Sequence, residues 1–153
     1  MIKTVGFGRK ASFYLKAAEF LSKLLRIEKL LSDKELTIIA KNMKVKFYGY
    51  FHIPYHYSVR DKIKKKFSLS ISRKYLKDIG FMILLHEMLH LKQYLEGDTI
   101  CLHSKKNSPA VAYWKGKNLG EIDKIEHKDR PWEIDVEKKM IYYSNKIIDK
   151  IIT

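Results

Sequence analysis

The chain has 153 residues, 46% of them hydrophobic and 12% aromatic, enough for one domain with a real core and too apolar for a disordered or linker-like chain. Cys101 is the only cysteine, which excludes an intramolecular disulfide and a thiolate metal cage. No apolar run, the best being residues 79–85, is long enough to cross a bilayer or to form a signal core at the N-terminus, so a soluble cytoplasmic protein is expected. The net charge of +14 is lopsided: residues 1–76 carry 18 Lys/Arg against 5 Asp/Glu, whereas residues 77–153 carry 13 against 12.

The first predicted element is a helix over residues 10–31, with Phe13, Ala17, Phe20, Leu24, Ile27 and Leu31 as its apolar stripe. Strands follow over residues 35–41 and 44–53. In the second, Val45 and Phe47 alternate with Lys46 and Tyr48, Gly49 reads as a bulge or bend within the strand and Pro54 ends the run. The sequence KIKKK at 62–66 reads as a connection, and Phe67, Leu69 and Ile71 alternate with serines in a half-buried strand. A second long helix is expected from residue 73 or 76 to 96, with Ser72 as N-cap, Leu84, Met88, Leu91 and Leu95 on its apolar side, and Gly97 as its stop. Short strands over residues 99–103 and 111–117 precede a last helix, which opens at Pro131 and runs to about residue 151. Its predicted core stripe is Trp132, Val136, Met140, Tyr143, Ile147 and Ile151. The order predicts one α+β domain, with helices on a small, mostly antiparallel sheet.

The chemistry concentrates in His86-Glu87-Met88-Leu89-His90. On a helix, positions i and i+4 share a face, so both imidazoles can hold one Zn²⁺ at about 2.0–2.1 Å. Glu87 is rotated about 100° from His86. It misses the metal but reaches a water on it, as a general base must. Two histidines and a glutamate on an otherwise apolar helix need partners, and a metal supplies them. Catalytic zinc takes three protein ligands plus water. The third is not a close histidine: Gln93 and Glu96 stand where a further motif residue would be sought, and His103 is the next histidine. The run Arg130-Pro131-Trp132-Glu133-Ile134-Asp135-Val136-Glu137 offers Glu133 as ligand. Glu137, one turn on, is expected to accept a proton from the free nitrogen of a ligand histidine. The plainer reading of Glu133 is a first-turn carboxylate favoured by the helix dipole.

This pair of motifs resembles that of gluzincin-type zinc metallopeptidases, in particular small single-domain phage-type proteins in which H-E-x-x-H is followed some forty residues later by P-W-E-I-E-A. Here the pair reads HEMLH and PWEIDV, with Tyr113-Trp114-Lys115-Gly116-Lys117 similar to the short strand between them. The likeness covers residues 79–140, less than half of the chain, and departs from the pattern at Asp135-Val136. It implies a zincin-like fold, His86, His90 and Glu133 as ligands, Glu87 as base, and a peptide or protein as substrate. Minigluzincins and the peptidases that cleave phage repressors are more distant relatives of that group.

His103 and Tyr113 are the candidate oxyanion donors, and the strand at residues 67–72 is the candidate edge for pairing with an extended substrate. His52 and His56 are expected to be solvated or satisfied in the core, with a place near the cleft as the alternative. Tyr142, Tyr143 and Cys101 are expected in the core, and His127 in a loop. The alternative function is a nucleic-acid-binding or adaptor protein with a structural or vestigial zinc, using the basic residues 1–76 and the aromatics Tyr48, Tyr50, Phe51, Tyr55 and Tyr57 toward nucleic acid or another acidic partner.

Overall fold

The computed structural model describes residues 1–44, 47–103 and 109–152. The chain opens with a strand that local periodicity does not announce, β1 (Ile2–Val5), only four residues long. After a 3₁₀ turn comes α1 (Ala11–Leu24), and then a separate single turn, α2 (Glu28–Leu31). The expected continuous helix breaks because Arg26 takes a left-handed conformation (φ 59°) and the Ile27 N–H reaches back to the Ser22 carbonyl, which closes the helix as a C-terminal cap does. The buried stripe is Tyr14, Ala17, Ala18, Leu21 and Leu25. Ala17, Ile27 and Leu31 of the expected stripe are buried and Leu24 is partly so, but Phe13 and Phe20 are exposed, and their places are taken one residue on by Tyr14 and Leu21.

Among the described residues eight strands form two four-stranded sheets. In the first, the order is β1, β2 (Glu35–Lys41), β5 (Lys66–Ser72), β3 (Gly49–Phe51). β1 and β5 both run parallel to β2, and only β3 is antiparallel to its neighbour. The second sheet has the order β4 (Tyr55–His56), β6 (Thr99–Leu102), β7 (Val111–Trp114), β8 (Lys117–Glu121), with a parallel first pair and antiparallel remainder. The class is α+β as expected, but the mostly antiparallel sheet is corrected to two mixed sheets. The cause is connectivity: α1 with α2 links β1 to β2, which permits a parallel return that a hairpin would forbid.

Two further corrections concern the strands. β5 is central, between β2 and β3, so it offers no open edge; β3 is an edge strand of this sheet. Among the described residues of the expected strand over 44–53, the strand is Gly49–Phe51; its Val45–Lys46 alternation lies outside the described residues.

Ser72 belongs to β5 and makes no side-chain cap; a 3₁₀ turn over Arg73–Tyr75 follows it, and α3 (Gly80–Leu95) starts later than expected. Its stop agrees with expectation. Gly97 is left-handed (φ 77°), and the Asp98 and Gly97 N–H groups donate to the carbonyls of Gln93 and Tyr94, the Schellman pattern that glycine makes easy. Leu84, Leu85, Met88, Leu89 and Leu91 are fully buried or nearly so. α3 lies against β3 and β5 with α1 beside it, and α4 (Pro131–Ile152) packs on α3. Trp132, Val136 and Ile147 of α4 are buried, whereas Tyr142 and Ile151, expected in the core, are exposed. One apolar core takes residues from both the basic and the charge-balanced half. Among the described residues no helix is long and apolar enough to cross a membrane.

Candidate metal centre

His86 and His90 sit one turn apart on α3, and the packing of α4 on α3 brings Glu133 against them. The three ligand atoms lie within 4.8 Å of one another. His86 Nε2 is 3.1 Å from His90 Nε2, and Glu133 Oε2 is 3.2 Å from His90 Nε2 and 3.6 Å from His86 Nε2. A tetrahedral ion with ligands at about 2.1 Å sets neighbouring ligand atoms about 3.4 Å apart, so the three separations match one face of such a tetrahedron. His90 and Glu133 are buried and His86 is partly open, which leaves the approach to the site on the His86 side.

The proton inventory supports a cation here. Gln93, buried on α3, donates through Nε2 to the Trp132 carbonyl (2.9 Å) and to Asp135 Oδ2 (2.8 Å). Its Oε1 therefore accepts, and the donor is His90 Nδ1 at 3.1 Å. With Nδ1 protonated, a neutral His90 turns the lone pair of Nε2 toward His86 and Glu133. An acceptor facing a carboxylate at 3.2 Å is repulsive unless a proton or a metal ion stands between them. Burial alone would lower the His90 pKa, but the Glu133 carboxylate and Glu87 outweigh it and raise it. Burial likewise would raise Glu133, yet the imidazoles of His86, His90 and His127 hold its carboxyl well below the usual range. A zinc ion would take the place of that proton, and the donor set of two imidazoles and one carboxylate suits it.

Glu137 does not play its expected part. It is exposed, and Gln93 occupies the position of hydrogen-bond partner to His90. Asp135, in turn, is held by Gln93 and by Lys139 at 2.7 Å. Gln93 was findable, because it lies three residues after His90 on the same helix, a spacing at which side chains meet.

Glu87 is buried beside the triad. Burial raises its pKa, against the lowering effects of His90, His86 and a hydrogen bond from the Phe51 backbone N–H. The raised direction suits a base that must also give its proton back. The close approach of β3 makes this placement possible. A Cβ on Gly49 would fall 2.5 Å from Ile83 Cγ2 and 2.9 Å from Glu87 Oε1. Gly49 is thus no bulge but the first residue of an edge strand that needs a bare backbone over the carboxylate.

A cleft of about 640 Å³ opens over the triad. Phe47, Tyr48, Tyr50, Met82, Ile83 and Trp132 form much of its apolar wall, with Arg130 and His127 as polar members. Phe47, Tyr48 and Tyr50 are each about half exposed. His103 and Tyr113, the expected oxyanion donors, are not on this wall. His103 closes β6 with its ring against Tyr55, and the Tyr113 hydroxyl accepts from Asn118 at 3.2 Å. The sequence singled them out for lying between the motif helices, but β7 belongs to the second sheet, which carries them away.

His52 and His56 also lie off the cleft. His52 Nε2 meets Ser70 Oγ at 3.0 Å, and buried His56 meets Tyr94 Oη at 2.8 Å. Cys101 is buried as expected, and burial pushes its thiol up to about 11. His127, expected in a loop, lies in a 3₁₀ turn (His127–Asp129) with Nε2 3.2 Å from Glu133 Oε1. Sequence reasoning passed it over, because six residues separate it from Glu133 across the start of a helix. Comparison with protein-family models, with curated proteins and with solved structures gave no match.

Proposed function

We propose that the chain is a zinc metallopeptidase of zincin-like type that hydrolyses a bond in an extended peptide. The observation that carries this reading is the convergence of His86 Nε2, His90 Nε2 and Glu133 Oε2 on one point, with Glu87 buried beside them. A structural zinc takes four protein ligands, and the described residues offer a cluster of three. Glu87 has no duty in a purely structural site.

Zn²⁺, when bound, supplies Lewis-acid polarisation of the scissile carbonyl and acidifies a water molecule. Glu87 takes that water's proton at its carboxylate as the oxygen attacks the carbonyl carbon, and then delivers it to the leaving amine nitrogen. The Phe51 N–H orients Glu87 meanwhile.

The edge strand supports a peptide as substrate. His52 N–H donates to the Ser68 carbonyl and Ser72 N–H to the Tyr48 carbonyl, so the alternate residues of β3 face β5. The peptide groups of Gly49 and Phe51 point the other way, at the open edge bordering the cleft. Phe51 N–H serves Glu87 and its carbonyl accepts from Ile53, which leaves Gly49 for backbone pairing with a substrate strand. The aromatic wall around it suits a bulky apolar side chain next to the scissile bond.

The test is cleavage of a peptide library by wild type and Glu87→Gln at matched zinc occupancy. The amide keeps the shape of the side chain but cannot accept the proton, and loss of a positioned base costs about 10²–10⁴-fold in rate. Equal rates in the two proteins would remove Glu87 from the mechanism.

A further inference from the structure

The carboxylate of Glu133 has two oxygens, and each has its own partner. Oε2 faces the two ligand histidines at 3.2 and 3.6 Å, while Oε1 faces His127 Nε2 at 3.2 Å. His127 is not part of the metal-ligand cluster itself: the group whose donor atoms all lie within 4.8 Å of one another is His86, His90 and Glu133. We propose that His127, whose Nε2 lies 3.2 Å from Glu133 Oε1, is a positioning residue that turns its Nε2–H onto that oxygen when a metal is held and so restricts the glutamate to ligating through Oε2 alone. The inference rests on the metal-site reading above and adds to it the reason why the site keeps a position open.

A glutamate free to tilt can place both oxygens on one cation, which fills a coordination position that a catalytic site must leave for water or substrate. A donor on the outer oxygen opposes that tilt, and orienting hydrogen bonds of this kind tune metal sites. Either the neutral ring protonated at Nε2 or the doubly protonated ring supplies the donor, so the contact does not depend on the charge of His127.

The local chain is built to hold the ring there. The turn bearing it is closed by the Arg130 N–H on the His127 carbonyl, and the Arg130 side chain ties the segment down through the carbonyls of Ile125 (3.2 Å) and Ile122 (3.4 Å). Pro131 then starts α4, and buried Trp132 anchors its first turn. The His127 side chain is 73% exposed and contributes nothing to the core. Its contact with an almost buried carboxylate has no packing cause.

The experiment measures Zn²⁺ affinity by competition with a chromophoric chelator, together with the visible absorption of the Co²⁺-substituted protein, in wild type, His127→Ala, His127→Gln and Glu133→Ala. Gln places an amide N–H near the position of Nε2. His127→Ala should bind zinc about 10–100-fold more weakly. Its Co²⁺ bands should lose intensity as the carboxylate turns bidentate and the coordination number rises, and His127→Gln should restore both properties. Wild-type affinity and wild-type Co²⁺ bands in His127→Ala would overturn the proposal, as would a Gln variant as impaired as Ala. Glu133→Ala separates the two layers of argument: undiminished zinc binding in that variant would refute the metal site itself rather than the role of His127. His127 is exposed, so metal-free His127→Ala should melt as wild type does; a large loss of stability would assign the residue to the fold instead.

Discussion

Replacing Gln93 by Met removes a polar hub while keeping much the same side-chain shape. Gln93 is 1% exposed and makes three hydrogen bonds: one accepted from His90 Nδ1 at 3.1 Å, and two donated, to the Trp132 carbonyl at 2.9 Å and to Asp135 Oδ2 at 2.8 Å. Methionine fills similar space flexibly, so little of the effect should come from packing. Asp135 keeps Lys139. The His90 Nδ1–H loses its partner, at about 1–3 kcal/mol for a buried group left unsatisfied, whereas the Trp132 carbonyl, inside α4, keeps its helical bond to the N–H four residues on. The expected loss of stability in the metal-free protein is therefore about 1–3 kcal/mol, a sizeable share of the ~5–15 kcal/mol typical of a domain. Zinc affinity should fall by about 10–100-fold, because His90 loses the group that fixes its tautomer and ring orientation. Gln93→Glu separates the two effects. A carboxylate still accepts from His90 Nδ1 but cannot donate to Trp132 and repels Asp135, so zinc binding should survive while stability falls. Urea unfolding of the metal-free proteins and chelator competition for zinc measure both quantities. If Gln93→Met lost stability but kept wild-type zinc affinity, Gln93 would only staple α4 to α3, and its role in orienting His90 would be refuted.

Glu133→Ala should cost more than 100-fold in zinc affinity, beyond the range of an outer partner, while Glu137→Ala, on the exposed side of α4, should bind zinc as wild type does; the reverse order would move the ligand by one turn. His56 is buried neutral. Tyr94 Oη accepts from the Lys64 N–H at 3.0 Å and so donates to His56 Nε2, while His56 Nδ1 has no partner among the described residues. Burial lowers its pKa, with Lys64 lowering and Asp61 raising it to lesser degrees. Its contribution to stability is complete above the unfolded value of about 6.5 and is lost as pH falls below it, by at most about 1.4 kcal/mol per pH unit. Melting temperatures at pH 7.5 and 5.5 should consequently differ less in His56→Gln than in wild type, and equal differences would refute the assignment. Binding of single-stranded DNA through the basic residues 1–76 should weaken steeply with added salt as counterions are released, and a flat response would leave that charge as a solvated surface.

The parts that could be read from the sequence are those whose signal is local. HEMLH fixes two donors one turn apart whatever surrounds them, PWEID sets a glutamate in the first turn of a helix, and Phe67, Leu69 and Ile71 mark β5 by alternation. The parts missed depend on partners far along the chain. β1 is too short to show a period, and its parallel pairing with β2 is decided by where α1 and α2 cross. In α1, nearly every second or third residue is apolar, so two stripes one residue apart fit the same helical period. Which one is buried is set by the sheet and α3, which take Tyr14, Leu21 and Leu25 and leave Phe13 and Phe20 outside. Gly49 looked like an interruption of a strand. Its meaning depends on Glu87, 38 residues away, whose carboxylate fills the space where a side chain would stand.

That Gln93 ties the two ligand helices together bears on how such a site comes into being. The ligands belong to helices about forty residues apart, and a metal alone could pull them together, as in small domains that are unfolded without their ion. Here the two helices have reasons of their own to meet. Val136 and Ile147 of α4 are buried in the common core, and Gln93 bonds both the Trp132 backbone and Asp135 in the first turns of α4. The same glutamine fixes the ring of His90, so docking the helices also orients the ligand. Core packing and one buried amide thereby bear the entropy of assembling the triad before any ion arrives. On the proposed reading of the site, metal-binding free energy is then available for affinity rather than for folding, and Glu133, the histidine lone pairs and Glu87 are already aimed where that chemistry would need them.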